Sequence, residues 1–242
     1  MKLKDFLKLI ELPILVMGIT IAIFSLISYF FGFQITLVKD LGLFTHAIYN
    51  IFYHLDFTHD FTIASLFMSF VILICSFTLF LMGWGDREKL KISSIQQGIL
   101  KLFSGLMLLL SVDEILDLRK QLGMSIESVT GFLDGTKLEN LGFSWLLVYL
   151  PLVLVSFIIF SIFFHKFIKK IKNVRQRTFA YRYFWAVIIL VPVYYLLVLT
   201  EGYLLFSGHS GNTLIYVEEF CKLGMIFSVY GLVLKVSDNY NL

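Results

Sequence analysis

From Phe61 to Trp84 the chain reads FTIASLFMSFVILICSFTLFLMGW, without a single charged residue. A helix needs ~20 mainly apolar residues, at ~1.5 Å rise each, to cross a bilayer core. This run is long enough. It is apolar on every side, whereas a transmembrane strand would alternate apolar and polar residues over ~10-residue segments. The segment therefore predicts a membrane-crossing helix and sets the fold class as all-α.

Outward from this run the pattern repeats. Segments 10–33, 97–118, 144–164, 183–206 and 213–234 meet the same requirement, so the sequence predicts six spans in a single helical-bundle domain covering residues 1–242. The composition agrees. Hydrophobic residues make up 58% of the chain and charged ones 15%, against ~25% charged in soluble domains. The mean hydropathy of +0.85 is spread along the chain, which excludes a soluble enzyme on one anchor. The first apolar stretch follows Lys2, Lys4 and Lys8 and runs on without a small-residue cleavage site, so a retained span is expected rather than a signal peptide.

The net charge of +3 lies between the apolar runs rather than in a patch with stacking aromatics, so nucleic acid is not an expected partner. The bilayer is. Lys2, Lys4 and Lys8, then Arg87, Lys89 and Lys91, then the series from Lys166 to Arg182 occupy alternate connections. The positive-inside rule places those connections and both termini in the cytoplasm, as in the inner membrane of a bacterium. Cys75 and Cys221 lie in different apolar runs, so no disulfide is expected. Residues 34–60 carry Phe44, Ile48, Ile51, Phe52 and Leu55 on one helical face and predict an interfacial helix. Residues 123–142 mix Gly, Ser, Thr and Asp and predict an irregular loop.

Ionisable groups at membrane depth are costly and mark candidate sites. Counted from the cytoplasmic ends at ~1.5 Å per residue, Asp113 and Glu114 lie about 18–20 Å up the third span. On the same count Lys222 lies about 20 Å, Glu218 and Glu219 about 24–25 Å and Glu201 about 28 Å up theirs. All share the outer half of the bilayer. Lys222 is thus expected to pair with Asp113 or Glu114 across two spans, with Glu218 four residues before it on one helix face. Asp117, Arg119 and Lys120 read as a solvated helix end. Ser111 with Glu114 has the spacing of a capping box, which would interrupt the third span, although a continuous helix is the simpler expectation.

Five acids around one cation leave surplus negative charge, which a proton, a bound cation or water must neutralise. His54 and His59, with Asp56 and Asp60, and His209 near the last two spans are the weaker candidates for a divalent metal, which is not the favoured occupant. No nucleophile elbow, zinc-protease motif or phosphate loop is present. Ser65, Ser69 and Ser76 are expected as small polar packing residues.

Ser111-Val112-Asp113-Glu114 and Glu218-Glu219-Phe220-Cys221-Lys222-Leu223-Gly224 resemble the motifs of an uncharacterised bacterial multi-pass membrane protein family. In that family a span ends in Ser-x-Asp-Glu followed by His-Glu, and a later span carries Glu-Glu-x-x-Glu-x-x-Gly. Arg119 and Lys120 stand here in place of His-Glu, and Lys222 in place of the third Glu. The resemblance implies a shared position for the site, with cations where that family has candidate ligands. Three functions fit the residues: proton- or cation-coupled transport, favoured narrowly; a membrane-embedded enzyme acting on a lipid-like substrate; or a structural or signalling subunit whose acids meet a partner. Transport in so small a bundle would call for a homo-oligomer.

Overall fold

The computed structural model describes residues 3–31, 62–85, 92–131, 145–206 and 212–238. Its described residues form α1 (Leu3–Phe31), α2 (Ile63–Trp84), α3 (Ser94–Leu116), α4 (Leu118–Thr130), α5 (Trp145–Lys169), α6 (Val174–Phe206) and α7 (Asn212–Asp238). Five stretches are long and apolar enough to cross a membrane: Leu9–Ile27, Ile63–Trp84, Tyr149–Lys169, Val174–Leu204 and Leu214–Asp238. Among its described residues the protein is all-helical, and its long apolar helices are those of a multi-spanning membrane protein. The sixth expected span corresponds to α3, which carries Lys101, Asp113 and Glu114 and is not among those five. The expected interfacial helix at 34–60 lies outside the described residues.

Lipid is as apolar as leucine, so helices in a bilayer associate through close packing and interhelical hydrogen bonds rather than by escaping water. The hairpin of α2 and α3 shows how. Ser69 Oγ donates to the Ser111 carbonyl at 2.7 Å and Ser111 Oγ returns a bond to the Ser69 carbonyl at 3.0 Å. One heptad away, Ser76 and Ser104 repeat this exchange at 2.8 and 3.0 Å. A further heptad along α2 comes Gly83, where a Cβ would stand 3.2 Å from the Lys101 backbone nitrogen and 3.0 Å from its Cγ. The seven-residue spacing of small residues keeps one seam facing the partner along the antiparallel pair. Each hydroxyl finds its bond in the facing backbone, so no polar group on this seam needs water.

Ser69 and Ser76 are thus packing residues, as expected, whereas Ser65 belongs to the capping box that starts α2: its amide donates to Thr62 Oγ1 at 3.3 Å and its Oγ accepts the Thr62 amide at 2.9 Å. Ser111 is a clasp residue and not a cap. α3 runs unbroken past it to Leu116, in line with the simpler expectation of a continuous helix there.

The apolar core has two parts. Phe103, Phe160, Phe163, Phe164, Phe167 and Phe184 form an aromatic cluster between α3, α5 and α6, in one core with Leu79 and Met82 of α2 and Leu232 and Val233 of α7, with Phe103 and Phe160 edge to face at 5.6 Å. Leu7, Ile14 and Ile21, every seventh residue of α1, seat that helix on α2 and α7. On α7, Gly231 admits the Tyr183 ring of α6, which would lie 2.6 Å from any Cβ placed there. The C-terminal end of α3, the later turns of α6 and the first turns of α7 meet at the end of the bundle away from the aromatic cluster.

One expectation is overturned in the loop after α3. Residues 118–130, whose second half was assigned to an irregular loop from its Gly and Ser content, form the helix α4. The stop is local instead: Asp117 takes the left-handed conformation (φ 49°, ψ 43°), which Asp tolerates better than most residues. Its N–H donates to the Asp113 carbonyl at 2.8 Å, closing α3 before α4 departs in a new direction.

Candidate functional site

The Asp117 break brings the start of α4 back over the end of α3. Asp117 itself makes no side-chain cap to α4. The cap comes from the preceding turn: Asp113 Oδ1 accepts the Arg119 N–H at 2.8 Å, and Oδ2 forms an ion pair with Arg119 Nε. One carboxylate is therefore both helix cap and counter-ion. Arg119 Nη1 also donates to the Tyr194 hydroxyl on α6 at 3.4 Å, and its guanidinium carbon stands 5.5 Å from the centroid of the Trp145 ring on α5. A guanidinium between a carboxylate, a phenol and an indole face is held on several sides.

This corrects the expectation of a solvated end. The Arg119 side chain is 19% exposed, and only Lys120, 3.9 Å from Asp117 and half exposed, behaves as a surface residue.

Glu114 follows Asp113 by one residue, ~100° around the helix, and so faces a different neighbour. Its Oε1 lies 3.0 Å from Lys222 Nζ on α7, the pairing across two helices that shared depth implied. Lys222 is also 2.8 Å from Glu219 Oε2 and 3.1 Å from its Oε1. The expected partner on its own helix was Glu218, four residues back, but the structure gives that place to Glu219, three back. Glu218 turns instead toward α6, where its carboxyl neighbours that of Glu201.

Glu218 is 9% exposed, and no donor among the described residues reaches its Oε2. The charge balance expected from sequence changes accordingly. Asp113, Glu114 and Glu219 face two cations rather than one, and Glu201 with Glu218 forms a separate pair of neighbouring acids.

All six residues proposed from sequence, Asp113, Glu114, Glu201, Glu218, Glu219 and Lys222, fall in this one cluster. Arg119, Tyr194 and Trp145 join it without having been proposed. The signal for Arg119 was its position six residues after Asp113, out of reach along a straight helix but adjacent if the chain reverses at Asp117. Tyr194 and Trp145 carried none, since aromatic residues abound in every span. His54, His59 and His209 lie outside the described residues. Among the described residues no three His, Cys, Asp or Glu side chains are placed to hold a metal ion.

Fold and cluster together define a helical membrane protein with a buried, ion-paired polar centre shared by α3, α4, α6 and α7. Compared with known proteins, the chain matches no family model, no curated protein and no solved structure.

Proposed function

We propose that the chain is a six-span protein of the bacterial cytoplasmic membrane, with both termini in the cytoplasm, and that its Glu201–Glu218 pair exchanges protons in their transport across the membrane. The observation that carries this reading is the approach of two carboxyl groups from different helices, Glu201 of α6 and Glu218 of α7, with Glu218 buried and its Oε2 met by no donor among the described residues. A proton held between two acids on different helices can be lost and regained as those helices shift, and its loss would set like charges against each other. The fixed charges around Arg119 and Lys222 support the same reading, because they hold the neighbouring acids in place while the pair titrates.

A structural or signalling subunit is the second reading. It is favoured by the ion pairing of Asp113 and Glu114, which leaves those acids engaged within the chain. The two are separated by reconstituting the purified protein in liposomes that enclose a pH-sensitive dye and imposing a potential with potassium and valinomycin. Wild-type protein is expected to move protons, and Glu218→Gln, which keeps the side chain's shape but cannot ionise, is expected to stop them. Liposomes that stay unacidified with the wild type, or a Glu218→Gln protein that conducts like it, would remove the transport reading.

A further inference from the structure

The polarity of α4 is reversed with respect to the protein. In a helix on a water-soluble domain the apolar stripe faces the core and polar residues face outward. On α4 the residues turned toward the bundle are Arg119, Gly123 and the buried Glu127. The apolar stripe of Leu118, Leu122, Ile126 and Val129, spaced by four, four and three residues along one helical face, flanks that side, with Leu122 39% and Val129 85% exposed and Leu118 and Ile126 partly buried. Beside that stripe runs a third face of exposed Gln121, Ser125 and Ser128.

Three faces, one for protein, one apolar and one polar, suit a helix lying along a boundary between oil and water. The apolar face also continues into a larger surface. Leu109, Val112 and Leu116 at the adjoining end of α3 are exposed, and together with Leu122 and Val129 they extend the apolar belt that the long helices present to lipid.

The polar face is suited to a poorly hydrated position. Ser125 Oγ donates to the Gln121 carbonyl and Ser128 Oγ to the Ser125 carbonyl, both at 2.8 Å, and Gln121 Nε2 donates to the Leu116 carbonyl at 2.8 Å. These side chains satisfy themselves on their own backbone and ask little of water.

We propose that α4 lies in the plane of the membrane at the boundary between headgroups and acyl chains, its Leu118–Leu122–Ile126–Val129 stripe in lipid, and that it roofs the charged cluster. The occupant of the apolar face is the bilayer itself. Arg119 ties the roof to the bundle through Asp113, so the depth of α4 and the position of the Asp113 carboxylate are mechanically joined.

Spin labels on single cysteines test this, in a background with Cys75→Ala and Cys221→Ser, in liposomes of phosphatidylcholine and phosphatidylglycerol. Labels at Leu122→Cys and Val129→Cys are expected to relax with oxygen, which concentrates in lipid, and to ignore a water-soluble nickel chelate. Labels at Gln121→Cys and Ser128→Cys should respond to the nickel chelate several-fold more strongly. Equal nickel accessibility at Val129 and Ser128 would overturn the proposal in favour of a solvated helix. A Val129 label immobilised and closed to both reagents would overturn it in favour of a protein partner. If the cysteine-free background does not fold, a lipid-soluble carbene reagent on the wild-type protein, mapped by mass spectrometry, decides between the same outcomes by labelling Leu122 and Val129 or sparing them.

Discussion

Lys222 is the residue on which the charged cluster turns. Its ammonium group lies within ion-pair distance of Glu114 and Glu219, and its removal would leave two carboxylates facing each other in a site with little water. Breaking a buried pair from one side costs about 3–5 kcal/mol, because the stranded charge has no compensation. Lys222→Met is therefore expected to lower the melting temperature in detergent sharply, and Lys222→Met combined with Glu114→Gln and Glu219→Gln to recover most of the loss. A Lys222→Met protein that melts with the wild type would show the acids to be solvated or protonated without it. The Glu114–Lys222 contact was legible in the sequence because depth along a helix is simple arithmetic. The exchange of Glu218 for Glu219 was not: three and four residues are equally near on a helix, and which acid turns to Lys222 is settled by neighbours on other helices.

At the scale of the element, the α2–α3 hairpin makes two glycines behave oppositely. A Cβ on Gly83 would meet the backbone of α3, while one on Gly98 meets nothing within 4 Å. Gly83→Leu is expected to destabilise by about 1–3 kcal/mol through overpacking, and Gly98→Ala to stabilise by up to about 1 kcal/mol through helix propensity. Thermal unfolding followed by labelling of the buried Cys75 thiol reads both, and equal effects at the two sites would contradict the seam. The helices themselves were plain in the sequence wherever an apolar run exceeded the bilayer thickness. α4 was missed because Gly123 and the serines were weighed as loop signals. The spacing of Leu118, Leu122, Ile126 and Val129 carried the helix, but an apolar stripe in a polar segment of low mean hydropathy does not register in a search for spans.

For the whole molecule the open quantity is orientation, which follows from the basic residues between helices rather than from packing. Reporter fusions at Lys137 and Ser210 are expected outside and at Lys170 inside. A cytoplasmic signal at Ser210 would defeat the six-span topology. The reciprocal serine bonds of α2 and α3 also bear on how the protein is made. Their hydroxyls saturate one another within a hairpin closed by a short connection, so Ile63–Leu116 can leave the translocon sideways as one finished piece while the ribosome is still at work downstream. On the proposed six-span topology Asp113 would enter the bilayer with its counter-ion only six residues behind it. Its neighbour Glu114 has no such escort and must wait for α7 to be synthesised, so its charge is compensated only when Lys222 arrives.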